Sequence, residues 1–326
     1  MQRQEKVRSD EGRILSPPSL WLLIGGLVLL CLIWGSTWLV IREGLADMPP
    51  MSAVAIRFSL AGACLILIAP RLARVEGGVR PPRKLALCYG FLTLAIPYGI
   101  IYEVETVLPS GLVSILWSTF PMFIAFCAHL VIPEERLGGR QWVGLITGFL
   151  GVSLLFFTDV KNIGEEALPY ALLLLVSPAV SAIGNTLIKR DGEHVSSALL
   201  NRDGTIIGAI LLIPVAIFRE HDADLVWSRT AIASILYLSL VGSLIAFSLY
   251  FWLLRYTKAT RMSLLVYGIP MVAVTLGVLF GDESVSRETF FGMGAILLGL
   301  FLVLKPARSS AKGEKTSLTP NPNSDA

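Results

Sequence analysis

The sequence predicts an all-α integral membrane protein: ten transmembrane helices laid out as two inverted five-helix repeats. Three observations predict it. Of 326 residues, 54% are hydrophobic and 16% charged, with a mean hydropathy of +0.69, whereas a soluble domain carries about 25% charge. Apolar stretches near the roughly 20 residues needed to cross a bilayer recur along the chain. Finally, the two halves read as one pattern laid down twice. Glu135, Trp142, Gly144 and Gly151 stand 148 residues before Glu283, Phe290, Gly292 and Gly299. Gly35, Thr37, Ser114 and Pro121 stand 149 residues before Gly184, Thr186, Ser263 and Pro270, and Arg57 stands 145 before Arg202. A nearly constant offset across most of a chain marks an internal duplication.

Taken in order, the first span, Leu20–Ile41, carries Trp34-Gly-Ser-Thr-Trp38. The second, Met51–Arg71, carries Arg57 about two turns in. The third, Lys84–Glu105, ends on Tyr98, Tyr102, Glu103 and Glu105. The fourth, Gly111–Ile132, holds Trp117, Pro121 and His129. The fifth, Arg140–Phe157, is marked by Gly144 and Gly148. The sixth, Ala167–Ile188, holds Gly184 and Asn185, and the seventh, Ser197–Phe218, opens with Arg202 and Asp203. The eighth is Thr230–Leu254. The ninth, Thr260–Phe280, carries Tyr267 and Pro270, and the tenth, Glu288–Leu304, holds Gly292, Ala295 and Gly299. Lipid supplies no hydrogen bonds to a bare backbone, so spans of this length must be helices. Cys31, Cys64, Cys88 and Cys127 fall inside spans and read as small packing residues. The organisation expected is a disordered tail over 1–18, a first repeat over 19–158, a second over 159–305 and a disordered tail over 306–326.

Charge sets the orientation. With the amino terminus in the cytoplasm, only Arg42, Lys161, Arg219, Arg229 and Arg287 of the 27 basic residues lie outside. Arg57 and Arg202 lie within spans, and the remaining twenty face the cytoplasm. This bias places both termini inside a plasma (inner) membrane. The net charge of +3 is thus a topology signal and calls for no nucleic-acid partner. Five helices per repeat is an odd number, so the copies enter the membrane from opposite sides. That geometry is the one that gives alternating access about a site near the midplane.

Trp34-Gly-Ser-Thr-Trp38, Arg57 in Ala55-Ile-Arg-Phe58, Pro121 before the Glu135-Arg-Leu137 turn and the Gly-rich fifth helix together resemble the EamA family. That family belongs to the drug/metabolite transporter superfamily, and the resemblance runs over about residues 20–304. It implies ten helices in two repeats and export of a small organic metabolite, such as an amino acid or a related compound. One departure stands out: Tyr102-Glu-Val-Glu-Thr-Val-Leu-Pro109 replaces the Ala-Leu-x-Tyr-Thr-like pattern that Leu253-Leu-Arg-Tyr-Thr257 keeps.

Trp34, Tyr98, Trp117, Asn185 and Tyr267 lie near mid-depth and suit a small amphipathic solute. Ser36 occupies the slot matching Asn185, each beside a glycine. Glu103 is a candidate because an intramembrane carboxylate is costly unless it faces protein or water. Glu105 shares a helix face with Tyr98 and Tyr102 but reads as lying among the outer headgroups. Arg57 and Arg202 read either as a pair of polar anchors that would alternate as two gates open or as arginines that bond loop carbonyls or snorkel to headgroups. Asp203 follows Arg202 directly, and adjacent helical residues do not face each other. The small-xxx-small patterns Gly144-x-x-x-Gly148 and Ala295-x-x-x-Gly299 pack helices within the chain or build a homodimer.

No zinc, nucleophile-elbow or phosphate-loop motif is present, so neither cofactor nor metal is expected. Without a nucleotide site, active transport would draw on a coupling proton or a counter-substrate. A membrane-embedded enzyme or a channel is the competing reading. His129, His194 and His221 are scattered, and no filter-like ring is evident. The partners expected are a small organic substrate and membrane lipid. A reporter active only in the cytoplasm, fused after Ala326, is expected to be active; activity only on the outer side would sink the ten-helix, amino-terminus-in topology.

Overall fold

The computed structural model describes residues 18–304 apart from 77, 156, 159–162, 165, 193 and 257–263. The tails expected from the sequence, apart from Pro18, therefore lie outside the described residues. The chain is a bundle of helices: α1 (Leu20–Gly44), α2 (Pro50–Glu76), α3 (Arg83–Val104), α4 (Ser110–Val131), α5 (Gly139–Leu155), α6 (Ala167–Asp191), α7 (Ser197–Arg219), α8, α9 (Leu264–Phe280) and α10 (Arg287–Leu304). The eighth runs through Arg229–Leu236, Tyr237–Ile245 and Ala246–Tyr256. Eight of them are long and apolar enough to cross a membrane; α5 and α9, at 17 described residues each, are shorter.

Local chemistry fixes where they start. Ser19, Ser196 and Ser228 cap α1, α7 and α8, accepting from Leu22, Leu199 and Ala231 N–H at 3.3, 3.4 and 3.0 Å. Such caps satisfy donors that a helix start leaves orphaned. Two starts are capped from far away in the chain. The Glu220 carboxylate accepts from Met51 and Ser52 N–H at 2.7 Å each, and Glu283 caps α4.

Three helices depart from uniform α geometry, which helical periodicity alone does not reveal. A π segment, Tyr89–Ala95, interrupts α3. Pro97 follows it, has no N–H for the Thr93 carbonyl, and so favours a slipped register. A second π segment, Tyr237–Ile245, interrupts α8, and there the Ser243 hydroxyl donates to the Leu238 carbonyl at 2.9 Å. Between them α4 breaks into Ser110–Trp117 and Phe120–Val131. Ser118 and Thr119 fill the gap by donating to Ile115 and Leu116 carbonyls at 2.6 and 2.7 Å.

The packing is paired. α5 lies along α10, α2 along α7, α1 along α9, and the second part of α4 along α6. A central core draws on most of the helices, including Val54, Phe58, Ile101, Val104, Leu116 and Leu174. Outside it, Leu67, Ile146, Phe218, Phe280 and Phe291 are exposed, as a lipid-facing surface requires. At one end of the bundle, Asp47 accepts from the Ser228 hydroxyl at 2.5 Å, and Glu103 pairs with Arg219 at 3.1 Å. At the other, Val79 bridges Val195 and Lys189 pairs with Glu135 at 2.6 Å.

The small-residue patterns are spent within the chain. A Cβ placed on Gly299 would lie 2.6 Å from the Gly148 nitrogen, and one on Gly144 would lie 2.6 Å from the Gly299 carbonyl oxygen. Backbone against backbone cannot yield, so α5 and α10 touch only because both are bare there. Gly294, on the same helix, has nothing within 4 Å. Gly299→Ala is therefore expected to destabilise by about 1–3 kcal/mol, the usual penalty for overpacking, while Gly294→Ala leaves thermal melting in detergent unchanged. Equal melting of the two variants would mean the crossing is not where the structure puts it.

Candidate functional site

The polar residues of the bundle gather along α3 and α8. Arg57 of α2 is 2% exposed. Its Nη1 donates to the Tyr102 hydroxyl at 3.3 Å, and its Nε and Nη2 both donate to Ser243 Oγ at 3.3 Å. The guanidinium carbon stands 5.1 Å from the centre of the Tyr98 ring and 5.7 Å from that of Phe58. Ring faces and hydroxyls thus carry a cation that would otherwise be very costly to bury. Gly242 makes the room: a Cβ there would sit 3.0 Å from Thr37 and 3.7 Å from Arg57 Nη2. The Ser239 hydroxyl also donates to the Arg57 carbonyl at 3.1 Å.

Ser36 and Asn185 occupy matching positions in the two halves, and each reaches into a π segment of the other half. Ser36 Oγ and the Tyr237 hydroxyl are 2.7 Å apart. Asn185 Nδ2 lies 3.4 Å from Thr93 Oγ1 and donates to its own-helix Ser181 carbonyl at 2.8 Å. Trp117 stacks on Phe120 at 4.8 Å, stands 6.1 Å from Trp38, and donates through Nε1 to Ser177 Oγ at 3.0 Å. The Ser177 hydroxyl in turn donates to the Pro97 carbonyl at 3.1 Å. Trp34 turns to α8, with Phe247 and Tyr250 at 5.6 and 5.5 Å.

Three expected members stand elsewhere. Tyr267 packs beside Met122, Leu145, Leu300 and Val303, away from the Arg57 group. Glu103 sits at the bundle end, paired with Arg219. Arg202 does not mirror Arg57: it binds its neighbour Asp203, Nε to Oδ1 at 2.7 Å. That corrects the sequence expectation, because a long guanidinium can reach sideways to a neighbour whose own Cβ points away.

Glu105 is the largest correction. Far from lying among headgroups, it is 2% exposed, and neither carboxyl oxygen makes a well-formed hydrogen bond among the described residues, its contact with the Arg42 backbone falling outside good geometry. Nearby, Glu283 takes Arg42 Nη1 at 3.1 Å, Ser110 N–H and Oγ–H at 2.6 and 2.7 Å, and Gly111 N–H at 2.9 Å. The sequence marked Glu283 only as the repeat of Glu135; nothing local shows which helix start it caps. A cavity of about 460 Å³ lies apart from these groups. It is an apolar groove lined by Ile56, Leu60, Ile213, Trp227 and Ile235.

A family model described as the EamA-like transporter family matches residues 21–157 and 168–305. The chain is 30% identical over 284 residues to an uncharacterized inner membrane transporter, YedA, of Escherichia coli (strain K12), covering 86% of this chain and 90% of that one. It is 25% identical to an uncharacterized transporter, YoaV, of Bacillus subtilis (strain 168), covering 85% and 94%. It is 28% identical to the protein PecM of Dickeya dadantii (strain 3937), covering 83% and 88%. A solved crystal structure, 18% identical, superposes with a TM-score of 0.63 over 89% of this chain and all of that one, a likeness of fold.

Arg57 of α2 and Glu103 of α3 differ in what they carry. Arg57→Met takes the Tyr102 hydroxyl's donor away, while Ser243 keeps its bond to the Leu238 carbonyl, and is expected to cost about 1–3 kcal/mol. Glu103→Gln breaks a partly exposed pair and should cost under about 1 kcal/mol. Thermal melting in lipid nanodiscs ranks them, and the reverse order would contradict the burial described.

Proposed function

The chain belongs to the EamA-like transporter family, and from that membership we propose that it is a ten-helix, inverted-repeat secondary transporter of the inner membrane. On this reading both termini are cytoplasmic, and a small organic metabolite such as an amino acid or a related compound moves outward. The solute site lies between the halves, among Arg57, Tyr98, Trp117, Ser36 and Asn185, with Trp34 at its edge.

One observation carries the mechanism. Exchanging the halves maps α1 on α9 to α6 on α4, and returns α2 on α7 and α5 on α10 to themselves. A bundle whose contacts survive that exchange supports two states of similar energy, related by swapping the roles of the halves, which is what alternating access requires. The bonds Ser36–Tyr237 and Asn185–Thr93 are consistent with it: each ties one half to the other near mid-depth, where a solute would have to part them.

A thermal-shift screen against metabolites finds the solute, since selective binding raises apparent stability. The mechanism is tested with single cysteines at Glu103 and at Asn201, near opposite ends, in a background without the native cysteines. Adding the solute should change their labelling in opposite directions. Labelling that rises at both together would indicate a continuous pore and end the transporter reading.

A further inference from the structure

We propose that Glu105 is a proton-binding site, and that its ionisation releases a latch formed by Glu283 at the same end of the bundle. The inference deepens the transport reading by naming the coupling ion and its residue.

Glu283 is the latch because one carboxylate joins three elements. It holds Arg42 at the end of α1 and the first two N–H groups of α4, while standing on the turn between α9 and α10. Its side chain is 4% exposed. Its repeat mate, Glu135, makes a single ion pair with Lys189, and both side chains are more than a third exposed. Two glutamates that the repeat makes equivalent are thus in different states: one end of the bundle is fastened and the other is loosely tied.

Glu105 stands beside the fastened end. It follows α3 directly, its backbone N–H donating to the Ile101 carbonyl at 3.0 Å. The groups within electrostatic range of it are Glu283 on the α9–α10 turn, Arg42 on α1, Arg57 on α2 and Tyr102 on α3. Their side chains are committed elsewhere, and the Arg42 backbone makes only a contact outside good hydrogen-bond geometry with Glu105. Arg42 and the α4 donors serve Glu283, and Arg57 serves Tyr102 and Ser243. A carboxylate with no well-formed hydrogen bond, in the field of a second carboxylate, is a costly thing to bury. A neutral carboxyl at Glu105 removes both the solvation deficit and the repulsion of Glu283, so the fastened arrangement is the protonated one.

When the proton leaves for water, the carboxylate formed requires a cation. Arg42 is in range and is the partner that Glu283 holds. Competition for Arg42, together with repulsion between the two carboxylates, unties α1 from the α9–α10 turn. Proton binding and closure of this end are then linked, and each must favour the other to the same extent.

Ser114 lies one turn below the Ser110 contact and is 2% exposed, so a cysteine there reports on the latch. In nanodiscs, Ser114→Cys in a background without native cysteines should react with a soluble thiol reagent several-fold faster as pH rises. Adding Glu105→Gln should hold the rate low at every pH, and adding Glu283→Gln should hold it high. In parallel, the infrared carbonyl stretch of a protonated carboxyl should be present in the wild type, fade as pH rises, vanish in Glu105→Gln and return shifted in Glu105→Asp. A pH response that survives Glu105→Gln, a wild-type rate flat with pH, or a carbonyl band unchanged by Glu105→Gln overturns the proposal. Should Glu105→Gln not fold, the infrared shift in Glu105→Asp decides alone. No solute enters either measurement, so their failure leaves the transport reading standing.

Discussion

Hydrocarbon offers a polar atom nothing, and the whole bundle is organised by that constraint. Every N–H, hydroxyl and charge that enters the membrane must find its partner in the chain. The chain meets most of the demand in three ways, Glu105 being the chief exception. Helices satisfy their own middles. Hydroxyls such as Ser118, Thr119 and Ser243 return to carbonyls of the same helix. Carboxylates from remote loops, Glu220 and Glu283, close helix starts. Because the last group of bonds spans the chain, satisfying local chemistry also fixes tertiary structure.

The apolar side of the problem is solved by shape. Oil is as good a solvent for leucine as another helix is, so helices cohere in lipid through close fit. Gly144 and Gly299 let α5 and α10 meet backbone to backbone. Arg57 shows the two solutions combined: Gly242 opens the space, aromatic faces line it, and two hydroxyls take the donors.

Much of this was legible in the sequence, for definite reasons. Apolar runs and basic loops are written locally, so helices and their approximate limits could be read. The constant offset identified Ser36 and Asn185 as mates, and the structure gives each a partner in the other half's π segment. What could not be read is what arrives from elsewhere. Glu105 was assigned to headgroups because its position in the chain says only that a helix is ending; its burial depends on distant residues. Glu283 carried a repeat mark and no sign of the α4 start it caps. Tyr267 groups with the other aromatics by its place in the sequence, yet it packs beside Met122 and Leu300. Arg202 was expected to mirror Arg57, yet an adjacent Asp203 gave it a nearer partner.

The π segments of α3 and α8 each hold one residue more than an α turn would. An α-helix advances about 100° per residue. Expelling the surplus residue from such a turn therefore swings every side chain beyond it by roughly that angle, while the axis shortens by hardly more than an ångström. Wide turns of this kind act as screw threads. Tyr98 and Tyr102 lie beyond the one in α3, Phe247 and Tyr250 beyond the one in α8, so two matched threads govern which way these aromatic side chains point.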